Sequence, residues 1–175
     1  MAETVQKKRD QMIEQEQILL QVIRKITIFS GISPIHGKSI LSRCSKKMLR
    51  QGEILCRQGE ESSSLFILLK GKLSVSIVNS GTIATIYPIN TIGELGVFTG
   101  QPRNATVEAM EPSFVLELKK DVMDLMIEKT PAMGVKIMRN VITGLAERVT
   151  EDNIKLREFK NYIVSQENQN PGGAT

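Results

Sequence analysis

Ile92 to Val107 read IGELGVFTGQPRNATV, a glycine-rich segment that separates two groups of short apolar runs. Its three glycines allow the backbone to approach a bound molecule closely, because glycine has no Cβ. Residues 94–98 can form one helical turn, and free backbone amides at such a turn attract anions. Arg103 comes just before a predicted strand, and its planar guanidinium suits bidentate binding of phosphate. The segment therefore predicts an anion-binding site.

The apolar runs on both sides of this segment have a period of two, which is typical of β-strands. Six runs are found, at residues 54–56, 65–69, 73–78, 83–87, 105–109 and 114–118. In the third run Leu73, Val75 and Ile77 alternate with serines, which predicts one apolar and one polar strand face. The pattern predicts a mainly β, α+β fold: an antiparallel β-roll or jelly roll (double-stranded β-helix) with flanking helices.

Helical periodicity precedes the strands. Apolar residues recur at helix-like spacing from about residue 5 to residue 25, among Lys, Arg, Glu and Gln. Ser33 followed by Pro34 suits the cap and first position of a second helix, which we expect to run towards Lys47. We therefore assign residues 1–47 to N-terminal helices and residues 48–120 to the β-roll, with the glycine-rich cassette at 92–107.

A long helix is predicted after the strands, from about Ala132 to Ile163. Its apolar stripe comprises Val135, Met138, Val141, Ile142, Leu145, Val149, Leu156, Phe159 and Ile163. One small barrel cannot cover a stripe of this length, so part of it is expected to contact a second subunit, with core packing as the alternative for its first half. We assign residues 121–165 to C-terminal helices and residues 166–175, rich in Gln, Asn and Gly, to a disordered tail.

The composition is that of a globular protein, with 41% hydrophobic and 24% charged residues. The net charge of +4 is a modest excess, so it favours a nucleic-acid partner only weakly. No apolar run approaches the roughly 20 residues that span a bilayer. Cys44 and Cys56, without a secretion signal, indicate a cytoplasmic setting and are expected to be small core residues rather than redox centres.

Other patterns are less informative. Residues 31–39 resemble a phosphate-binding loop, but five rather than four residues separate the glycines and no strand leads into them. His36 is the only histidine, so neither a histidine-based metal site nor a Ser-His-Asp triad can be assembled. Glu94 has no second acid, nucleophile or metal cluster near it in the motif, which disfavours an enzyme. A Glu94–Arg103 salt bridge that only fixes a turn is the alternative for these two residues.

Several motifs occur in a characteristic order: Phe29-Ser30-Gly31-Ile32, Gly52-Glu53-Ile54, Arg57-Gln58-Gly59-Glu60, Leu65-Phe66-Ile67, Lys70-Gly71-Lys72, Gly93-Glu94-Leu95-Gly96 and Pro102-Arg103-Asn104-Ala105-Thr106-Val107. In this order the chain resembles the cyclic-nucleotide-binding domains of the catabolite activator protein, of regulatory subunits of cyclic-AMP-dependent kinase and of cyclic-nucleotide-gated channels. The resemblance covers about residues 28–160.

The resemblance implies roles for the cassette residues. Arg103 would bind the cyclic phosphate, and Glu94 would bind the ribose 2′-hydroxyl. The backbone around them would come from Gly93, Leu95, Gly96 and Ala105. Asn104 departs from the Ala, Ser or Thr that is usual after the arginine, at a position that biases adenine against guanine. The resemblance therefore leaves the choice between cAMP and cGMP open, with a slight preference for cAMP.

The resemblance also places a purine pocket. Val75 and Ile86 fall where the family lines this pocket. The base is capped in the family by the long C-terminal helix, on which Thr150, Asp152 and Asn153 are the nearest polar candidates in this chain. Ligand binding would then move the helix.

We accordingly expect a cytoplasmic sensor of a cyclic nucleotide, homodimeric through its C-terminal helix, that acts on an unidentified effector protein. The chain ends too soon after that helix for a helix-turn-helix DNA-binding domain, and no other cofactor, metal or membrane span is expected. The main alternative is a dimeric adaptor whose pocket is unused or binds another nucleotide or dinucleotide. A nucleic-acid-binding regulator that uses only the basic excess is a further alternative.

Overall fold

The computed structural model describes residues 6, 9, 13, 17, 18 and 20–169, with only the backbone for 166–169. Helix α1 includes residues 20–25 and leads into a 3-10 turn at Thr27–Phe29. The other helices are α2 at Pro34–Leu41, α3 at Glu94–Thr99, α4 at Lys120–Lys129 and α5 at Pro131–Gln169. Ser33 caps α2 as predicted, because its hydroxyl accepts a hydrogen bond of 3.3 Å from the backbone N–H of His36.

The described residues contain eight antiparallel strands in two four-stranded sheets. The strands are β1 at Ser45–Leu49, β2 at Ile54–Cys56, β3 at Ser64–Lys70, β4 at Leu73–Ile77, β5 at Gly81–Ile86, β6 at Asn90–Ile92, β7 at Thr106–Ala109 and β8 at Ser113–Lys119. The sheet orders are β1-β8-β3-β6 and β2-β7-β4-β5. The predicted β-roll with flanking helices is thus confirmed.

Strand β3, in the middle of the first sheet, is buried on both faces. In β3, Leu65 and Ile67 pack against the helices, while Phe66 and Leu68 point into the core between the sheets. This division follows from strand geometry, since successive side chains point to opposite faces. Both faces are apolar, which explains why β3 is a continuous buried run rather than an alternating one.

Two strands were missed by the sequence pattern. Helix α2 ends at Leu41 instead of reaching Lys47, and residues 45–49 form edge strand β1. Only Leu49 of this strand is buried, so its strand character comes from pairing with β8 rather than from apolar alternation. Strand β6 pairs with β3 and has only three residues, so it is too short for a period to be recognised in the sequence.

Helix α5 is longer than predicted. It continues through Gln169, so residues 166–169 extend the helix instead of beginning a disordered tail. Residues 170–175 of the predicted tail lie outside the described residues. The predicted N-terminal helix is only partly described, and residues 6, 9, 13, 17 and 18 within it are helical.

Candidate functional site

Glycines lie at both ends of the short helix α3. Gly93 caps its N-terminus with a φ of 84°, and Gly100 caps its C-terminus with a φ of 73°. Both values fall in the left-handed region, where other residues are strained. At Gly93 space is also limiting, because an added Cβ would overlap Nη1 of Arg103. The helical turn predicted for residues 94–98 is confirmed, and its N-terminal glycine allows the arginine to approach the backbone.

The guanidinium of Arg103 is enclosed by protein. The residue is 7% exposed, its Nη2 donates a hydrogen bond of 2.5 Å to the carbonyl of Ser64, and its Cζ lies 5.2 Å from the centre of the Phe66 ring. Nη1 is buried and has no hydrogen-bond partner among the described residues. Burying an arginine without a carboxylate is costly, because its charge stays uncompensated. The site is therefore suited to a single negative charge.

The backbone of Arg103 is held by the loop after β2. The N–H of Gly59 donates to the carbonyl of Arg103, and the N–H of Arg103 donates to the carbonyl of Glu60, both at 2.8 Å. The Glu60 carboxylate closes this loop by accepting a hydrogen bond of 2.8 Å from the N–H of Arg57. The arginine thus extends from a braced segment into the barrel, where Phe66 belongs to the core between the sheets.

Glu94 lies beside this site but does not pair with Arg103. It is 6% exposed, and its Oε1 accepts a hydrogen bond of 2.6 Å from Nη1 of Arg148 on α5. The Arg148 side chain is 59% exposed, so water screens part of this ion pair. The alternative in which Glu94 and Arg103 form a turn-fixing salt bridge is not the arrangement in the structure. The carboxylate instead connects the cassette to the C-terminal helix.

The other cassette residues surround these two side chains. Leu95 is half-buried, Gly96 is buried on α3, and Ala105 is 7% exposed just before β7. Asn104 is exposed next to the buried Arg103. Its exposure follows from the alternation of the chain into β7, in which neighbouring side chains face opposite sides.

Val75 and Ile86 lie on adjacent strands of the second sheet. Both are half-buried and pack against the core between the sheets, which also contains Phe66. Val75 is opposite Val107 of β7, and Ile86 is opposite Leu73 of β4. The structure therefore brings both residues to the apolar interior into which the guanidinium of Arg103 extends.

Thr150, Asp152 and Asn153 are not brought to the cassette. All three are exposed on α5. The Thr150 hydroxyl donates to the carbonyl of Ala146 on its own helix, and Asp152 pairs with Lys155 at 3.6 Å. The reason is helical rotation: the residue of α5 that faces Glu94 is Arg148, two positions before Thr150. Sequence reasoning missed Arg148 because the register of α5 against the barrel was not known.

The two cysteines are free thiols in apolar surroundings, as expected of small core residues. Burial raises the pKa of Cys44 to about 12. Burial also raises the pKa of Cys56, an effect that the nearby positive charge of Arg103 partly opposes. Both thiols therefore stay protonated near neutral pH and are poor nucleophiles.

A cavity of about 240 Å³ lies on the α5 side of Glu94. Its walls come from α5, the 3-10 turn and the loop between β5 and β6, and they include Glu94, Arg148 and Glu151 but not Arg103. The ion pair between Glu94 and Arg148 therefore borders this cavity. Ile89 in this wall has a φ of 71°, an uncommon conformation for a β-branched residue.

No helix in the described part of the chain is long and apolar enough to cross a membrane. No group of three or more His, Cys, Asp or Glu residues there could hold a metal ion.

Comparison with known proteins gives the cassette a family context. Residues 46–130 match the family model of the cyclic nucleotide-binding domain. The chain is 24% identical over 118 residues to a cAMP-dependent protein kinase regulatory subunit from Dictyostelium discoideum, a match that covers 63% of this chain and 36% of the relative. This chain spans about a third of the length of the curated relatives that it matches first.

Two solved structures share the fold. A cyclic nucleotide-binding domain from Methylobacillus flagellatus is 22% identical with a TM-score of 0.70, covering 83% of this chain and 84% of the other. The regulatory domain of Toxoplasma gondii PKA with cAMP is 22% identical with a TM-score of 0.61, covering 65% and 44%. The family match and the cassette geometry agree, and the segment 46–130 of this chain belongs to the cyclic nucleotide-binding domain family.

Proposed function

We propose that this chain is a sensor for a cyclic nucleotide, with cAMP preferred over cGMP, and that it is not an enzyme. The observation that carries the proposal is the buried Nη1 of Arg103, a charged donor without a partner among the described residues. A cyclic phosphodiester carries one negative charge and would compensate this guanidinium. The preference for cAMP is supported by similar proteins whose names specify it, among them the Dictyostelium discoideum regulatory subunit and the Toxoplasma gondii regulatory domain.

The remaining parts of the ligand find matching groups near Arg103. Glu94 is an acceptor for the ribose 2′-hydroxyl, because its carboxylate is buried on the turn that adjoins Arg103. The apolar side chains of Val75 and Ile86 would pack against the purine. The backbone of Gly93, Leu95, Gly96 and Ala105 would surround the phosphate and ribose, and Asn104 would lie at the rim.

Coupling to the rest of the molecule would pass through Arg148. Because Arg148 donates directly to Glu94, a ligand hydroxyl that also donates to Glu94 would compete with Arg148 for the carboxylate that anchors α5. Helix α5 would then shift into the cavity that it lines. Residues 121–165 would act as lid and dimerisation helices, and an effector protein would read the change. Two free thiols suit a reducing compartment such as the cytoplasm.

Calorimetric titration with cAMP and with cGMP tests the proposal. Wild-type protein should bind cAMP, and Arg103→Ala should weaken binding by about 2–5 kcal/mol, because a buried phosphate would lose its partner. Arg50→Ala is the matched control, since Arg50 is exposed in the loop between β1 and β2. Absence of binding heat with both nucleotides would reject the sensor function.

A second candidate function is that of a dimeric adaptor whose pocket is unused or holds another nucleotide. It is favoured by the apolar side chains that α5 exposes, among them Val135, Ile142 and Val149. Sedimentation that gives the same dimer with and without cAMP, together with no cAMP binding, would support this function instead.

A further inference from the structure

A second buried donor lies next to the cassette. Ser62, just before β3, is 6% exposed, and its hydroxyl has no hydrogen-bond partner among the described residues. Ser62 Oγ and Arg103 Nη1 are the buried side-chain polar atoms in the described part of the chain that lack a partner. Native structures leave few such atoms unsatisfied, because a buried donor without a partner has lost its hydrogen bonds to water and gained none in return.

Both atoms lie against the first turn of helix α3. A Cβ added at Gly93 would overlap Nη1 of Arg103, and a Cβ added at Gly96 would overlap Oγ of Ser62. Gly93 is the N-cap of α3 and Gly96 is three residues later, a spacing at which substituents come together in capping boxes. The two unpaired donors therefore border the same helical turn.

The segment that carries Ser62 is itself tied to the arginine. The carbonyl of Ser64 accepts the Nη2 hydrogen bond of Arg103 and lies 3.2 Å from the Cβ position of Gly93. Ser62 lies only two residues before Ser64, so the contact between the Ser64 carbonyl and Arg103 also fixes the backbone that carries Ser62. The hydroxyl of Ser62 itself lies against Gly96 of the turn.

We infer that the hydroxyl of Ser62 is a second donor to the bound phosphate, beside the guanidinium of Arg103. This inference rests on the proposed function. Arg103 supplies the compensating charge, and Ser62 supplies a neutral hydrogen bond to another phosphate oxygen. One anion with several acceptor oxygens would satisfy both orphaned groups, which do not hydrogen-bond to each other in the structure.

The test compares Ser62→Ala with Ser63→Ala by calorimetry with cAMP. Ser63 is the neighbouring serine and is exposed, so it is a matched control. Ser62→Ala should weaken cAMP binding about 10-fold or more, as expected for a hydrogen bond to a charged group, and Ser63→Ala should leave it unchanged. Thermal unfolding without ligand should show no loss of stability in Ser62→Ala, because the substitution removes an unsatisfied hydroxyl.

The two phosphorothioate diastereomers of cAMP give a readout that a purely structural serine would not affect. One diastereomer replaces the oxygen that accepts from Ser62, so its binding penalty relative to cAMP should shrink in Ser62→Ala. The inference would be overturned if the penalties were equal in wild type and Ser62→Ala, or if Ser62→Ala bound cAMP as tightly as wild type. In that case Arg103→Ala would still weaken binding, and the proposed function would stand. If wild-type protein binds no cyclic nucleotide, the proposed function and this inference fail together.

Discussion

Arg148 on α5 and Glu94 on α3 form an ion pair with a separation of 2.6 Å, and this pair joins the C-terminal helix to the glycine-rich cassette. Glu94 is almost fully buried, whereas Arg148 reaches it from a largely exposed position. The long helix is therefore anchored at the residue that a ribose would contact. A ligand at the cassette and a partner on α5 would act on the same contact.

Arg148→Ala should loosen α5 from the cassette. We expect a loss of about 1 kcal/mol in the free energy of unfolding, because a hydrogen bond to a charged group is lost but its arginine is partly screened by water. Urea unfolding measures the loss. Arg157→Ala on the exposed part of the same helix is the control, and equal losses in both variants would argue against a specific anchor.

Gly93→Ala should disturb Arg103 as well as the backbone. Alanine at a φ of 84° costs about 1–2 kcal/mol, and the added Cβ must also displace the guanidinium. Gly100→Ala has a similar φ of 73° but open space at its Cβ, so it isolates the backbone strain. Affinity for cAMP should fall much further in Gly93→Ala. Similar affinities in the two variants would show that the guanidinium position does not depend on this glycine.

Cys44 should make the protein less stable at alkaline pH. Burial raises its pKa from 9.0 to about 12, so the folded protein keeps a proton that the unfolded chain releases as the pH rises above about 9. Between pH 8 and pH 10 this thiol alone should remove about 1.4 kcal/mol from the free energy of unfolding. Urea unfolding of Cys44→Ala should show a shallower decline over this interval. If the free energy of unfolding declined equally in both proteins, the raised pKa of Cys44 would be contradicted.

The outward face of α5 should carry a contact between two copies of the chain. Val135, Met138, Ile142 and Val149 are exposed and recur at the spacings of a coiled-coil seam. Ile142→Glu should therefore shift sedimentation towards the monomer, because a carboxylate would be buried in the contact. Thr143→Glu is the control, since Thr143 is exposed one residue further around the helix. A wild-type protein that sediments as a monomer at all concentrations would contradict this prediction.

Much of the barrel could be predicted from local pattern. Short apolar runs identified β2, β3, β4, β5, β7 and β8, since at least one strand face is apolar wherever a sheet covers a core. Strand β1 escaped because four of its five residues are not buried, and its pairing with β8 joins residues as far apart as Ser45 and Glu117. A strand that forms by pairing with a distant strand need not show an apolar alternation in its own sequence.

The chemistry of the cassette is likewise local. The glycines, Glu94 and Arg103 lie within a dozen residues, and their types alone indicate an enclosed anion site. The charge partner of Glu94 could not be identified in this way, because Arg148 is 54 residues away and its direction depends on the rotation of α5. Two residues along a helix correspond to about 200° of rotation, so the sequence could not show which α5 side chain faces Glu94.

Residue type and spacing along the chain thus predicted the barrel and the candidate anion site, since both depend on neighbours in sequence. Tertiary packing decided which groups are paired. Helix α5 packs so that Arg148 pairs with Glu94 of α3. The segment before β3 packs so that Ser62 and Arg103 keep unpaired donors. Hydrogen bonding requires atoms within about 3 Å of each other. Elements that are distant in sequence reach that separation only after the chain has folded.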